Sequence, residues 1–132
     1  MSAAATRKML ALGLPGGRKM PEGLGGKMMT PEDLKSMLAE QDERMKAAGV
    51  ECKIMFVRPQ DEDQFLGELR AELAAMSPDL VTVGAGVRTD VEHTLLFEKV
   101  VSIIMQDAPQ AKIGFDKGPM DLYNVAMRQL GE

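Results

Sequence analysis

His93 is the only histidine in the chain, and its neighbours include the residue types that anion binding and proton transfer need. It follows the segment Gly84-Ala85-Gly86-Val87-Arg88-Thr89-Asp90. Gly84 and Gly86 permit close backbone approach, Thr89 adds a hydroxyl, and Arg88 has the planar fork that grips a carboxylate or phosphate in two-pronged fashion. Unpaired N–H groups at the start of the helix that follows would face the same ligand. Stepping about 100° per residue from Val91 puts Leu96, Phe97, Val100, Ile103 and Ile104 in one arc, with His93 near its centre. His93 therefore points inward from the first turn of that helix, at the end nearest the loop. The spacing predicts an acid/base site in which Arg88 orients an anion, amides of 84–90 stabilise developing negative charge, and His93 moves a proton with Asp90 orienting it. The plainer reading is also open. In it the glycines only make a turn, Arg88 is solvated, Asp90 caps the helix, and His93 is a core residue bonded to a backbone carbonyl.

Two further segments could contribute to the same chemistry. Residues 13–30 carry Gly13, Gly16, Gly17, Gly23, Gly25 and Gly26, with Arg18, Lys19 and Lys27 against the single acid Glu22. A connection of that length exceeds the ~2–6 residues usual between a strand and a helix. It reads either as a basic lid over an anionic ligand, with Gly13, Gly16, Gly17 and Lys19 in contact and Met20, Met28 and Met29 supplying adaptable apolar surface, or as an insertion that nothing holds. Asp116, in Asp116-Lys117-Gly118, would supply a polar group at the same edge or cap the last helix.

Other motifs fail on inspection. Gly25-Gly26-Lys27 resembles the end of a phosphate-binding loop, but Pro21 stands where its first glycine belongs and Met28 replaces the hydroxyl that would hold magnesium. Cys52 and Arg58 have the spacing of cysteine phosphatases, yet Lys53-Ile54-Met55-Phe56-Val57 between them is an apolar strand and not a loop of phosphate-cradling amides. Gly84-x-Gly86 lacks the third glycine of a dinucleotide fingerprint, because Thr89 occupies its place. A phosphoacceptor receiver would need an acid where Gly84 ends the third strand. No residue set implies a metal, and no cofactor can be named.

The elements that must position these residues follow from the punctuation. Apolar runs over 9–12, 50–57, 80–83 and 111–115 read as buried strands. Thr30-Pro31-Glu32-Asp33 combines a hydroxyl cap, proline at the first helical position and first-turn acids, opening a helix with Leu34, Met37, Leu38 and Met45 on one face and Gly49 as its left-handed end. A second helix from Asp61 aligns Phe65, Leu66, Leu69, Leu73 and Met76 before Pro78. A third covers 91–107, and a last one after Gly118-Pro119 turns Leu122, Val125, Ala126 and Leu130 inward. Strands that alternate with helices give a parallel sheet covered on both faces. The expected fold is an α/β, flavodoxin-like or Rossmann-like three-layer sandwich with strand order 2-1-3-4. Ligands of such sheets bind at the carboxyl ends of the strands flanking the reversal, where eight of the thirteen glycines fall: the six above, Gly84 and Gly86.

Composition bounds the partners. The 132 residues suit one domain, expected to comprise a flexible start over 1–8 and an α/β body over 9–132. The acid-free beginning, with Arg7, Lys8, Arg18 and Lys19, faintly resembles a transit peptide, but the first strand has a better claim on 9–14. A net charge of −4 disfavours duplex nucleic acid, and no apolar run approaches the ~18 residues of a membrane span. One cysteine excludes an intrachain disulfide and fits a cytoplasmic protein. Val91, Leu95 and Met105 fall on the outer side of the 91–107 helix, which predicts a homodimer through it. Two functions follow: an anionic small-molecule binder with acid/base chemistry at the sheet edge, or a non-catalytic oligomeric module.

Overall fold

The computed structural model describes residues 6–14 and 30–131. They form a four-stranded, all-parallel sheet in the order β2-β1-β3-β4, built from β1 (Arg7–Gly13), β2 (Val50–Phe56), β3 (Leu80–Val83) and β4 (Lys112–Phe115). The expected order and architecture are therefore met. The lid residues Gly16, Gly17 and Lys19, with the rest of 15–29, lie outside the described residues.

Local chemistry sets the boundaries. Thr30 caps α1 (Pro31–Ala47) through a reciprocal box: its hydroxyl accepts from the Asp33 amide at 3.0 Å, and the Asp33 carboxylate accepts from the Thr30 amide at 3.2 Å. Gly49 leaves that helix at φ +82°, a conformation that only glycine adopts without steric cost. The strand β1 begins at Arg7 and not at Met9, so two residues expected to be flexible are ordered. Arg7 pairs in register with Val50 and bonds the Leu130 carbonyl, and the Lys8 amide bonds Asp79.

The sheet separates two cores. On one face Leu10, Leu12, Val81 and Val83 meet Phe65, Leu69 and Leu73 of α2 (Glu62–Met76) and Leu96, Val100, Ile103 and Ile104 of the 94–107 helix. On the other, Met9, Ala11, Val50 and Leu80 meet Met45 of α1 and Leu122, Val125, Ala126 and Leu130 of the C-terminal helix, Leu122–Leu130. The inward residues of the last helix are those the sequence periodicity gives. In α1 the inward set differs: Gln41 is buried, and its side-chain oxygen accepts from the Tyr123 amide at 2.8 Å, joining α1 to the C-terminal helix.

The segment after β3 is more structured than expected. Residues 84–90 contain a helical turn, α3 (Ala85–Arg88), and the following helix starts with a 3-10 turn, Val91–His93, before α4 (Thr94–Asp107); the C-terminal helix is then α5. Asp90 has extended backbone angles between the two turns, and its carboxylate accepts from the Glu92 amide at 2.9 Å. That break is why 84–107 is not one helix.

Candidate functional site

The carboxyl ends of β1, β3 and β4 meet at Gly84. Its amide donates to the Leu12 carbonyl at 2.8 Å, fastening the end of β3 to β1. A Cβ at this position would stand 3.1 Å from that carbonyl oxygen and 3.6 Å from Oδ1 of Asp116. A side chain here would be crowded, because two strand ends and a carboxyl group share the space.

Asp116 directly follows β4 and is buried, with 4% of its surface exposed. Its Oδ2 accepts from the Thr82 hydroxyl at 3.0 Å and its Oδ1 from the Gly118 amide at 3.1 Å. The second bond requires the chain to double back, and Gly118 does so at φ 153°, ψ 175°, a region essentially confined to glycine. Burial pushes the Asp116 carboxyl up to about 6; the bonds from Thr82 and Gly118 and the charge of Arg88 oppose that rise, and Asp121 adds to it. A carboxyl in this condition is available as both proton donor and acceptor near neutral pH.

Arg88 stands at the same edge, but its guanidinium turns back onto the sheet. Nη2 donates to the Asp116 carbonyl at 2.7 Å and Nε to the Val83 carbonyl at 3.3 Å, while the group lies 5.3 Å from the centroid of the Phe115 ring. Phe115 in turn meets Phe97 of α4 edge to face at 6.2 Å. Arg88 thus ties the last carbonyl of β3 to the carbonyl just beyond β4. The two-pronged grip expected of it is directed, in this structure, at backbone.

His93 is inward, as its place on the helical wheel requires, with 13% of its side chain exposed. Its Nδ1 lies 3.2 Å from the Gly86 carbonyl. A carbonyl only accepts, so Nδ1 carries a proton, and Nε2 is the ring nitrogen that Gly86 does not engage. Asp90 Oδ2 is 4.0 Å from Nδ1; Gly86, more than Asp90, sets the ring. Thr89 donates its hydroxyl to the Ala85 carbonyl at 2.7 Å, and the amides of Val87, Arg88 and Thr89 bond within the turn. Those three amides are therefore not available to a ligand.

The residues predicted together divide accordingly. Gly13, Gly84, Arg88 and Asp116 converge at the reversal between β1 and β3; His93, Asp90, Gly86 and Thr89 form an adjoining, largely self-bonded turn. Sequence reasoning passed over Thr82, the hydroxyl that holds Asp116. Its signal was available: in Leu80-Val81-Thr82-Val83, buried throughout, a lone hydroxyl needs a partner.

The rejected motif stays rejected. Cys52 lies within β2 and Arg58 just beyond its end, burial pushes the Cys52 thiol up to about 12, and Arg58 forks onto Glu68 at 3.1 and 2.9 Å. No protein-family model matches the chain, and no curated protein does. Among the described residues no helix is long and apolar enough to cross a membrane.

Proposed function

We propose that the protein binds a small anionic metabolite at the carboxyl edge of its sheet, with Asp116 exchanging a proton with the ligand. The observation that carries this reading is the buried Asp116 carboxyl at the reversal between β1 and β3, the place where parallel sheets of this order bind ligands. A protonated Asp116 donates to an anionic oxygen, and an ionised one takes a proton back. Gly13 and Gly84 give the ligand backbone access, and Arg88 contributes positive charge through the N–H groups that the strand carbonyls leave over; only in the fuller acid/base version of this reading is His93 a second proton carrier through Nε2. A cytoplasmic location fits the single free thiol.

Thermal-shift screening against organic acids, sugar phosphates, nucleotides and flavins tests the reading. A hit should stabilise the wild type, and Asp116→Asn should lose that stabilisation while remaining folded. A hit that stabilises the Asp116→Asn and Arg88→Ala variants as well as the wild type would move the site elsewhere.

The second reading, a non-catalytic module that dimerises through α4, has its own support. Val91 of the preceding 3-10 turn and Leu95 and Met105 of α4 are 85%, 68% and 63% exposed, and exposed apolar residues of this size are what an interface would cover. Leu95→Asp should then convert a dimer to a monomer in sedimentation, without loss of helicity.

A further inference from the structure

The strand β2 stands at the edge of the sheet, and the bonding parity of its backbone can be read from its ends. The Arg7 amide donates to the Gly49 carbonyl, and the Val57 amide donates to the Gly13 carbonyl. In a parallel ladder the N–H and C=O of one residue point to the same side, and successive residues alternate. Residues 49, 51, 53, 55 and 57 therefore bond toward β1. Val50, Cys52, Ile54 and Phe56 direct their N–H and C=O groups outward, where no strand among the described residues meets them. Their side chains share the face covered by α1, and Glu51, Lys53 and Met55 lie on the opposite face, where Lys53 pairs with Glu72 of α2 at 2.7 Å.

We propose that this edge pairs antiparallel with the same edge of a second copy, about a two-fold axis at Cys52. Charge selects the register. An axis at Glu51 or Lys53 sets like charges opposite each other, and an axis at Ile54 sets Lys53 against Met55. Only the axis at Cys52 places Glu51 of each copy opposite Lys53 of the other, in the closely spaced, non-hydrogen-bonded positions where cross-strand ion pairs are nearest. The same register opposes Val50 to Ile54 and Cys52 to Cys52, the residues whose backbone groups point outward, so the ladder closes with its own bonding pattern satisfied. A second feature supports the contact. A cleft of about 260 Å³ opens between α1 and this side of β2, lined by Leu38, Ala39, Asp42, Met45, Cys52 and Ile54; antiparallel pairing brings the apolar Val50 and Ile54 of the second copy beside it. The product is one continuous eight-stranded sheet with an α1 from each copy on the same face, an isologous contact of the kind closed dimers use. It is independent of the ligand site at the carboxyl edge and distinct from any contact through α4.

Reversing one charge at a time tests it. The wild type should sediment as a dimer, and Glu51→Lys and Lys53→Glu should each weaken that dimer by about 10- to 100-fold, because each turns two attractive pairs into two repulsive ones. Mixing the two variants should restore a heterodimer, since each copy then meets its opposite charge. Circular dichroism of the separate variants checks that Lys53→Glu, which faces Glu72, still folds. A monomeric wild type at the highest soluble concentration would overturn the proposal and leave Lys53 as a guard against edge pairing. A wild-type dimer that survives both reversals but dissociates with Leu95→Asp would overturn it equally, placing the contact on α4.

Discussion

The two connections at the carboxyl edge, 84–93 after β3 and 116–121 after β4, hold similar polar residues and treat them differently. In the first, Arg88, Thr89 and His93 approach backbone carbonyls within or beside the segment, and Asp90 caps a turn. In the second, Asp116 is carried into the space between strand ends, where two donors hold it and burial raises its pKa to about 6. One segment is stabilised by its polar groups. The other contains a group whose ionised form the fold disfavours. Strain of that second kind is a common mark of a working site, because stability alone would favour a neutral residue there.

The largest effect that can break this comparison is the pH dependence of stability. In the unfolded chain Asp116 titrates near 3.8, and in the folded chain at about 6. Between those values the folded protein holds a proton that the unfolded chain has released. The stabilising contribution is thus complete below pH 3.8 and falls away as pH rises through about 6, reaching a loss of about 3 kcal/mol. Asp116→Asn cannot ionise and keeps a side-chain oxygen for Gly118, so it should flatten that slope and exceed the wild type in stability above pH 6 by about 2 kcal/mol. Urea unfolding across the range measures both. Parallel slopes for the two proteins would mean that the carboxyl is not held as described, and the contrast between the two connections would disappear.

An intermediate effect concerns Arg88. Arg88→Ala removes two charge-assisted bonds to the ends of β3 and β4 and the contact with Phe115, and should cost about 2 kcal/mol at neutral pH. Arg88→Lys should recover little of that loss, because a single ammonium cannot span both carbonyls as the planar fork does. Full recovery by lysine in chemical denaturation would show that charge alone matters at this position, leaving the guanidinium free to serve a ligand.

Much of this arrangement was legible beforehand, and the parts that were not share a cause. Periodicity identified α5 down to its inward residues and placed His93 on the inner side of its turn, because an amphipathic pattern records one relation, side chain against sheet. The hydroxyl cap at Thr30 and the left-handed end at Gly49 were equally plain, being local in sequence; the return bond from Asp33 was not. The turn α3 was hidden because Gly84 precedes it and Gly86 lies inside it, and glycine is a poor helix former; the bond from Gly84 to Leu12, across the sheet, fixes the segment instead. Asp116 was visible only as a polar residue near the edge. Its burial depends on Thr82, 34 positions away, and on the backbone angles of Gly118, neither of which a pattern along the chain reports.

The smallest predicted effect is also the sharpest test of how the two connections divide the work. His93→Ala removes one bond, from Nδ1 to the Gly86 carbonyl, at a place where water can reach the vacated acceptor, so it should cost about 1 kcal/mol. If the two connections differ as described, this loss should be the same with and without a ligand found by thermal shift, while Asp116→Asn abolishes the ligand's effect. If instead His93→Ala also abolishes it at unchanged stability, Nε2 touches the ligand, and the 84–93 connection joins Asp116 in the site. The two results differ because the bond to Gly86 engages only one ring nitrogen: it orients the imidazole in either case, and only the use of the other nitrogen separates a positioned core histidine from a proton carrier.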